Sequence, residues 1–569
     1  MMKRYLIFLL LASYTLCISA TVKPRNGRGS TDGSCTESSE SDSRQKSPMK
    51  IGSQSTAPLK AFGSPKVPVI LVQFSDKKFI SGLGMSIDSS GNEIANECLT
   101  REDSITVNTF FSRFCNGTGE SGSYYKDGGS YGAIREYFRD QSLGQFTPEF
   151  VVIGPVTLSN SYSYYGKNSS TSRDVNVSKF YKEAIEAAQA QYSSWSMFDN
   201  DNNNVVDMAF FIYAGEGENG GGGANTIWPH ERQSGGTINS VKFGCYACCN
   251  ETYKDKTDGI GVFVHELSHA LGLPDFYDKN YIAVGMDYYD IMDSGCYCQD
   301  GKVPCNYTAY ERDFMGWQSL ITLDPSEPQI ITLQPSSNGG LGYKIQNPSN
   351  PNEYLVIENR QALGWDEYLG RGTERTKMHG LLVTHVVYDS QAWSSNNVNV
   401  NASLQRIHVV PASNQIRSYM WVSDMDDYND FMFANISTLF PGSNNVTSLL
   451  NGHEIIYSYN ETEKSTVVDP STGEETTVKT KTPHIYNYSL GNFDQPLSDI
   501  TENADGSITL NYMELQTAID KIFGNESTSP IYNLSGLHVG DTEMQNGYPA
   551  SMPEVPGVYI INGKKYIVK

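Results

Sequence analysis

The chain has 569 residues, of which 19% are charged, 38% hydrophobic and 11% aromatic, a composition typical of a folded protein with much β structure. At about 150 residues per domain, this length predicts roughly three to four domains. With 42 Lys and Arg against 64 Asp and Glu, the formal charge is 42 − 64 = −22, which disfavours a nucleic-acid partner because the phosphate backbone is itself anionic.

The N-terminus is organised like a secretory signal. Lys3 and Arg4 precede an apolar run, and the small pair Ser19-Ala20 follows that run. The run is shorter than the roughly 20 apolar residues needed to span a bilayer, so we predict a signal peptide over residues 1–20 and no transmembrane segment. We therefore expect the protein to be secreted or held at the cell surface.

The segment after this signal is polar and of low complexity. Residues 21–64 are rich in Ser, Thr, Lys, Arg and Gly and contain few large apolar side chains. Such a composition cannot bury a core, so we predict a disordered leader or a short propeptide here, with folded sequence from residue 65 onward.

The cysteines beyond Cys17 are unevenly grouped. They fall into one lone residue, one pair and two clusters of three: Cys35; Cys98 and Cys115; Cys245, Cys248 and Cys249; Cys296, Cys298 and Cys305. In an exported chain this content favours disulfide bonds, although three thiolates at short spacing could also form a structural zinc site. The sequence alone does not give the connectivity.

The first folded part alternates strands with helices. Val67–Phe74 and Val205–Tyr213 are compact apolar runs that predict buried strands, whereas Ala133–Arg139 and Ser178–Gln191 have helical spacing of their apolar residues. We predict an α+β domain over residues 65–325.

From residue 326 the pattern changes to short alternating segments with little helical periodicity. Examples are Ile330–Leu333, Tyr354–Ile357, Leu381–Thr384 and Ile407–Val410. This pattern predicts an all-β, sandwich-like module or modules over residues 326–515. Residues 516–569 form a C-terminal tail with an Asn-Gly hairpin signal, and the tail resembles surface-sorting signals of exported Bacteroidetes-type proteins.

The segment that carries chemistry reads His-Glu-x-x-His-x-x-Gly-x-x-Asp, from His265 to Asp275. On a helix, His265 and His269 are offset by about 40°, so both imidazoles can bind one metal ion. Glu266 lies beside them, where it can act as a general base toward water without being a ligand. The pattern therefore predicts a catalytic zinc site with a proton acceptor next to it.

The third zinc ligand is predicted to follow the helix. Gly272 can adopt a left-handed conformation and Pro274 prevents the helix from resuming, so the chain turns back toward the metal. Asp275 is then the natural third ligand, and three protein ligands leave one coordination position open. Asp278 and Glu311 are the alternatives for this position.

These residues resemble the metzincin class of zinc peptidases and, within it, the immune inhibitor A family (metallopeptidase family six). Further family-like segments are Ser130–Tyr137, Trp228–His230 and Tyr289–Gly295, and others follow at residues 311–317, 358–366 and 393–399, the last with Trp393, Asn396, Asn397 and Asn399. The resemblance therefore covers about residues 65–415. The resemblance implies a metzincin-like α+β catalytic domain, a zinc-dependent endopeptidase and protein or peptide substrates. It also implies that Met292 belongs to a Met-turn, an apolar floor beneath the zinc. One departure is the short leader, because family members usually carry a sizeable folded propeptide.

A second metal-binding pattern lies outside this motif. Asp199, Asp201, Asn203 and Asp207 place oxygen ligands at alternate positions, as a calcium loop does, although the loop lacks the Gly and Glu of an EF-hand. A polar turn before a strand explains the same residues almost as well. Calcium is therefore predicted only as a possible second cofactor beside zinc. The alternative function for the whole chain is a surface adhesin or glycan-binding protein in which the metal domain serves as scaffold.

Overall fold

The computed structural model of the chain describes most of the sequence in separate ranges. These are residues 57–81, 85–87, 93–95, 106–117, 131–170, 172–253, 256–279, 284–369, 378–401, 403–417, 438–450, 454–468, 475–489, 493–513, 528–533, 538–545, 548–549, 551–553, 555–561 and 564–568. The predicted signal peptide and most of the predicted leader lie outside them, as do Cys17, Cys35 and Cys98. Within the described ranges, no helix has both the length and the apolar character needed to cross a membrane.

A large mixed sheet forms the centre of the first half. The strands of this half are β1 (Lys66–Gln73), β2 (Met85–Ile87), β3 (Glu93–Ala95), β4 (Glu149–Thr157), β5 (Val205–Glu216), β6 (His230–Arg232), β7 (Gly236–Ile238), β8 (Val241–Tyr253) and β9 (Lys256–Thr257). The main sheet has the order β4-β1-β5-β8-β6, and β7 and β9 also pair with β8, while β2 and β3 form a separate hairpin. Strands β4, β1, β5 and β8 are parallel, whereas β6 is antiparallel to β8.

Both faces of this sheet are covered, because successive side chains of a strand point to opposite faces. In β1, Val67, Val69 and Leu71 join one buried cluster, whereas Ile70 and Val72 join another. The predicted buried strands near residues 67 and 205 are therefore confirmed as β1 and β5. Their nearly continuous apolar runs are what burial on two faces requires.

Helices pack on both faces of the sheet. The helices of the described residues are α1 (Val107–Asn116), α2 (Ile134–Gln141), α3 (Tyr162–Tyr165), α4 (Val177–Gln191), α5 (Gly261–Ala270), α6 (Ala309–Met315) and α7 (Ser390–Ser394), of which α1, α4 and α5 contact the sheet. The two predicted helices correspond to α2 and α4, with ends that differ by one or two residues. Helix α5 is buried along its whole length, whereas α4 buries a single stripe that includes Phe180, Ala184 and Ala188.

The folded part begins earlier than the sequence suggests. Residues 57–64 fall in the predicted leader, but Leu59 and Ala61 are buried. The Leu59 amide donates to the Ala270 carbonyl over 3.1 Å, and the Trp317 indole donates to the Ala61 carbonyl over 2.7 Å. Hydrogen bonds to backbone groups and the two buried apolar side chains hold this segment against the domain. Composition alone does not predict such contacts.

The second half consists mainly of strands. They are β10 (Ile321–Thr322), β11 (Gln329–Leu333), β12 (Tyr343–Gln346), β13 (Glu353–Arg360), β14 (Gly380–Val387), β15 (Ile407–Val409), β16 (Gln415–Arg417), β17 (Glu454–Val468), β18 (Glu475–Ser489), β19 (Leu497–Glu502), β20 (Ile508–Tyr512), β21 (Thr528–Asn533), β22 (His538–Gln545), β23 (Tyr548–Pro549), β24 (Gly557–Ile561) and β25 (Lys564–Val568). The sheets have the orders β10-β12-β13-β14-β15, β11-β20-β19, β16-β17-β18 and β23-β22-β21-β24-β25. The protein is thus a mixed α/β structure with several sheets and few helices among its described residues.

The two halves share one hydrophobic core. A single buried cluster contains Phe263 of α5, Leu355 of β13, Val383 of β14 and Ile508 of β20. The change of pattern at residue 326 therefore marks a change of secondary structure, and the core continues across it.

The described cysteines are buried thiols. They are Cys115, Cys245, Cys248, Cys249, Cys296, Cys298 and Cys305, and no disulfide bond joins any two of them. Disulfide pairing within the two clusters of three is therefore not present in this structure and stays a prediction.

A buried arginine joins the second half to the first. Arg360 of β13 is fully buried and donates two 2.7 Å hydrogen bonds to the Asp366 carboxylate. Nη1 of Arg360 donates to the Tyr289 carbonyl over 2.9 Å, and Tyr289 belongs to the first half of the chain. This guanidinium has every direction satisfied, which is the condition for a charge to be tolerated in a core.

We predict that Arg360→Ala lowers the free energy of unfolding by about 3–5 kcal/mol, because it leaves the Asp366 carboxylate buried without its partner. Urea denaturation followed by tryptophan fluorescence measures this change. The matched control is Arg139→Ala, which removes an exposed pair with Asp140 and should change stability by less than about 1 kcal/mol. Equal effects of the two substitutions would contradict the role given to Arg360.

Candidate metal centre

The motif residues lie on helix α5, which is held in place from both sides. Phe263 stacks on Phe210 of the central strand β5 with ring centroids 3.5 Å apart. On the helix, Ser268 donates its hydroxyl to the Val264 carbonyl and also contacts the Tyr307 hydroxyl. The rigid, buried helix fixes the directions of His265 and His269, whose ring centroids lie 4.9 Å apart.

The chain reverses directly after α5. Gly272 has φ of +105°, a backbone conformation that residues with a Cβ rarely adopt. The Leu273 amide returns to the Ser268 carbonyl over 3.1 Å, which closes the end of the helix. Pro274 follows, and Asp275 is thereby carried back toward the two histidines, as the sequence predicted.

Three ligand atoms converge at this point. Oδ1 of Asp275 lies 3.1 Å from Nε2 of His269 and 3.3 Å from Nε2 of His265. Nitrogen and oxygen ligand atoms of all three residues lie within 4.8 Å of one another, and all three residues are buried. A metal ion placed among them would have three protein ligands.

Backbone carbonyls set the tautomer of both histidines. Nδ1 of His265 lies 2.8 Å from the Ile291 carbonyl oxygen, and Nδ1 of His269 lies 2.7 Å from the Leu273 carbonyl oxygen. A carbonyl oxygen only accepts, so each Nδ1 carries the proton and each Nε2 presents its lone pair to the centre. The Ile291 carbonyl precedes Met292, which is fully buried, so the predicted Met-turn segment holds the His265 ring through its backbone.

The donor set fits a divalent cation. Oδ1 of Asp275 is buried and makes no hydrogen bond to any described residue, although it is close to both imidazoles. A carboxylate oxygen and two imidazole lone pairs that face one another repel unless a cation lies between them. Two imidazoles and one carboxylate are ligands typical of catalytic zinc.

Charge coupling within this group is strong. Burial alone would raise the pKa of Asp275, but His269, His265 and Lys279 hold it well below its usual range. Burial alone would lower the pKa of His269, and the Asp275 carboxylate raises it. Protons therefore compete with a metal ion for the Nε2 atoms, and metal binding releases protons.

The two alternatives for the third ligand, Asp278 and Glu311, are not grouped with the histidines. Among the described residues, the cluster with ligand atoms in mutual reach includes Asp275 and neither Asp278 nor Glu311. The Glu311 carboxylate accepts from the Thr308 amide and hydroxyl as part of a capping box on α6. Its pKa is well above the usual range because of burial and the neighbouring Asp290 carboxylate.

Two further carboxyl groups adjoin the histidines. Glu266 is buried, and burial raises its pKa, while His265 and His269 lower it. Glu231 of β6 has a pKa raised to about 8, mainly by burial, with a smaller opposite effect of His269 and a raising effect of Glu266. Its Oε1 atom is buried and has no hydrogen-bond partner within the described part of the chain.

The predicted calcium loop forms a separate acidic group. Carboxylate oxygens of Asp199, Asp201 and Asp207 lie within 4.8 Å of one another. The side-chain oxygens of the loop also accept hydrogen bonds: Asp199 and Asp201 accept from the Asn203 amide, and Asn203 accepts from the Val205 amide over 2.8 Å. Asp207 is buried, and its pKa is raised to about 6 by burial and, to a smaller extent, by Asp201 and Asp199.

Sequence reasoning missed several groups at the centre. The Ile291 and Leu273 carbonyls have no residue-type signature, since every residue has a carbonyl. Glu231 adjoins the family-like segment Trp228–His230, which the sequence singled out without a role. Asn396 lies in a family-like segment that the sequence singled out without a role. It hydrogen-bonds to Asp275, and because 121 residues separate the two, only the folded structure brings them together.

Comparison with known proteins supports the resemblance seen in the sequence. The model of the family described as immune inhibitor A peptidase M6, catalytic domain, matches residues 59–319. Pre-pro-metalloprotease PrtV of Vibrio cholerae serotype O1 is 29% identical over 248 residues, which is 36% of this chain and 27% of PrtV. Immune inhibitor A of Bacillus thuringiensis subsp. alesti is 25% identical over 238 residues, which is 35% of each chain.

These matches have a defined extent. The chain spans about a quarter of the length of PrtV and about a third of the length of immune inhibitor A. The predicted family resemblance is confirmed for residues 59–319, a range that contains α5 and Asp275 and ends before the strand-rich second half.

Proposed function

Because residues 59–319 match the catalytic domain of the immune inhibitor A peptidases, we propose that this protein is an exported, zinc-dependent endopeptidase. The single observation that carries the proposal is the convergence of two Nε2 atoms and one buried carboxylate oxygen to which no described residue donates a hydrogen bond. Protein or peptide substrates are the corresponding partners. We further propose that the domain is metzincin-like, with Met292 in the Met-turn.

We infer that His265, His269 and Asp275 hold the zinc ion. When bound there, zinc supplies Lewis acidity toward the scissile carbonyl and makes a water molecule more acidic. The protein fixes both imidazoles in advance through the Ile291 and Leu273 carbonyls, so the ligands need little reorganisation on binding. The buried surroundings exclude bulk water and strengthen the electrostatic interactions in the site.

Glu266 is the proposed general base. It directly follows His265 on α5, and both His265 and His269 are close enough to lower the pKa of its carboxyl group. Burial raises its pKa above the usual range of a glutamate, and a more basic carboxylate is better suited to take a proton from water and pass it to the leaving amine.

The sheet edge next to α5 suits an extended substrate. Strand β6 contacts α5 and ends the sheet order, and no described strand pairs with its outer edge. An extended peptide can add to the edge strand of a sheet. A peptide bound in this way would run past Glu231 and the histidines.

We predict that Glu266→Gln retains zinc but loses at least about 100-fold in kcat/KM on casein, because the neutral amide cannot accept the proton. Zinc content by elemental mass spectrometry and casein hydrolysis measure the two properties. Glu367→Gln, which alters an exposed carboxylate that is not part of the cluster of ligand atoms, is the matched control and should retain both zinc and activity.

Two results would count against this assignment. Full hydrolysis by the Glu266→Gln protein would exclude Glu266 as the base. Wild-type protein that binds zinc but cleaves neither casein nor gelatin would favour the scaffold role of the adhesin alternative.

We also propose that the loop from Asp199 to Asp207 binds calcium. Three carboxylate groups in close mutual reach, one of them buried, repel one another, and a calcium ion would relieve that repulsion. The sequence pattern of alternating oxygen ligands supports the same cation.

We predict that calcium stabilises the protein at pH 7.5 and that the effect fades below about pH 6, where Asp207 becomes protonated. The sign follows because the proton and the cation compete for one carboxylate. At a calcium concentration of 100 times Kd the stabilisation is about 2.7 kcal/mol, seen as a higher Tm. Asp207→Asn should abolish the shift, and Asp324→Asn, an exposed control, should keep it. A calcium shift that persists unchanged at pH 5 would refute the site.

We propose that this chain is exported, because residues 1–20 are organised like a secretory signal. We also propose that residues 65–325 form the catalytic part, residues 326–515 the strand-rich part and residues 516–569 the tail. Sequencing the N-terminus of the mature protein tests the first of these boundaries.

A further inference from the structure

We propose that Asn396 is a positioning residue for the metal centre, which it reaches from outside the family-matched range. It lies in the connection between β14 and β15, after helix α7. The inference rests on the proposed function, because it takes Asp275 as a metal ligand.

Asn396 contacts Asp275 through two opposed hydrogen bonds. The Asn396 Nδ2 donates to Oδ2 of Asp275 over 2.8 Å, and the Asp275 backbone amide donates to Oδ1 of Asn396 over 2.7 Å. One carboxamide therefore binds both the main chain and the side chain of the same residue, which fixes the χ angles of Asp275.

The contact with Asn396 determines which carboxylate oxygen of Asp275 faces the histidines. Asn396 binds Oδ2 over 2.8 Å, and the Lys279 ammonium lies 3.7 Å from the same oxygen, beyond hydrogen-bond distance. Oδ1 is the atom that faces the two Nε2 atoms, and it makes no hydrogen bond within the described ranges. Without the carboxamide, the carboxylate gains rotational freedom and can exchange its oxygens. Metal binding would then have to restrict this freedom, which weakens affinity.

The backbone of Asn396 is shaped for this contact. Its φ is +53°, in the left-handed region that asparagine tolerates better than most residues. The preceding helix is anchored by Trp393, which is fully buried and donates its indole N–H to the Tyr310 hydroxyl over 2.9 Å. The carboxamide is thus presented from a rigid support.

The connection between β14 and β15 also forms two hydrogen bonds with the segment that follows Asp275. Nδ2 of Asn399 donates to the Phe276 carbonyl over 2.6 Å, and the Gly285 amide donates to the Gln405 side-chain oxygen over 2.7 Å. The segment that carries the third ligand is therefore built against the strand-rich half of the chain. The metal centre is complete only when both halves are folded together.

The test compares zinc affinities of full-length variants. Asn396→Gly removes the carboxamide and accepts the positive φ, and Asn445→Gly is the matched control at another left-handed asparagine, which is exposed and remote in sequence. Competition against a chromogenic chelator measures zinc affinity, and the visible absorption of the cobalt-substituted protein reports the ligand geometry. Thermal unfolding of the metal-free proteins measures folding separately.

We expect Asn396→Gly to weaken zinc binding about 10–100-fold and to alter the cobalt spectrum. Its metal-free Tm should be lower than that of Asn445→Gly, because two hydrogen bonds to Asp275 are lost, but the unfolding transition should remain cooperative. Asn396→Ser, whose hydroxyl is too short to bridge both groups, should behave in the same way. Wild-type zinc affinity and cobalt spectrum in either folded Asn396 variant would overturn the inference while leaving the peptidase proposal intact. Failure of the wild-type protein itself to bind zinc would instead refute the proposed function.

Discussion

The structure depends on one electrostatic constraint, the convergence of two imidazole lone pairs and a carboxylate oxygen in a buried space. Such an arrangement is unfavourable unless a proton or a metal ion lies among the three atoms, and three neighbouring contacts maintain it. The Ile291 and Leu273 carbonyls fix the imidazole tautomers, and Asn396 occupies the other carboxylate oxygen. The repulsion is balanced by the folding energy of the core around α5, which is buried on all sides.

The shared core explains why the second half of the chain bears on the metal centre. Arg360 links β13 to the Tyr289 carbonyl near the Met-turn segment, and the β14–β15 connection reaches Asp275. Both contacts come from residues beyond 319, where the family match ends. In physical terms, the helix supplies two ligands directly, whereas the third ligand lies on a loop that needs a partner surface. The strand-rich half provides that surface.

The sequence predicts the local part of the site well and the tertiary part poorly. His265, Glu266 and His269 lie within one stretch of helix, so helical geometry alone brings them to one face. Asp275 was predictable because Gly272 and Pro274 restrict the chain that leads to it. Asn396, Glu231 and the two carbonyls depend on how distant elements meet, and no periodicity encodes that. Likewise the strands near residues 67, 205, 330 and 381 follow from apolar runs, whereas their pairing and the core that continues past residue 326 do not. The polar stretch from residue 21 places residues 57–64 in the predicted leader, although this short end is itself mostly apolar and Leu59 and Ala61 are buried in the structure.

The most direct test of the central claim is X-ray absorption spectroscopy at the zinc edge of the purified, zinc-loaded protein. The account predicts a first shell of nitrogen and oxygen at about 2.0–2.2 Å, with the multiple-scattering pattern of two imidazoles. Buried thiols lie close by, and Cys296 is near enough to influence the pKa of His265. Sulfur scattering at about 2.3 Å, or a shell with fewer than two imidazoles, would show that the ion binds elsewhere and would contradict the assignment of His265, His269 and Asp275.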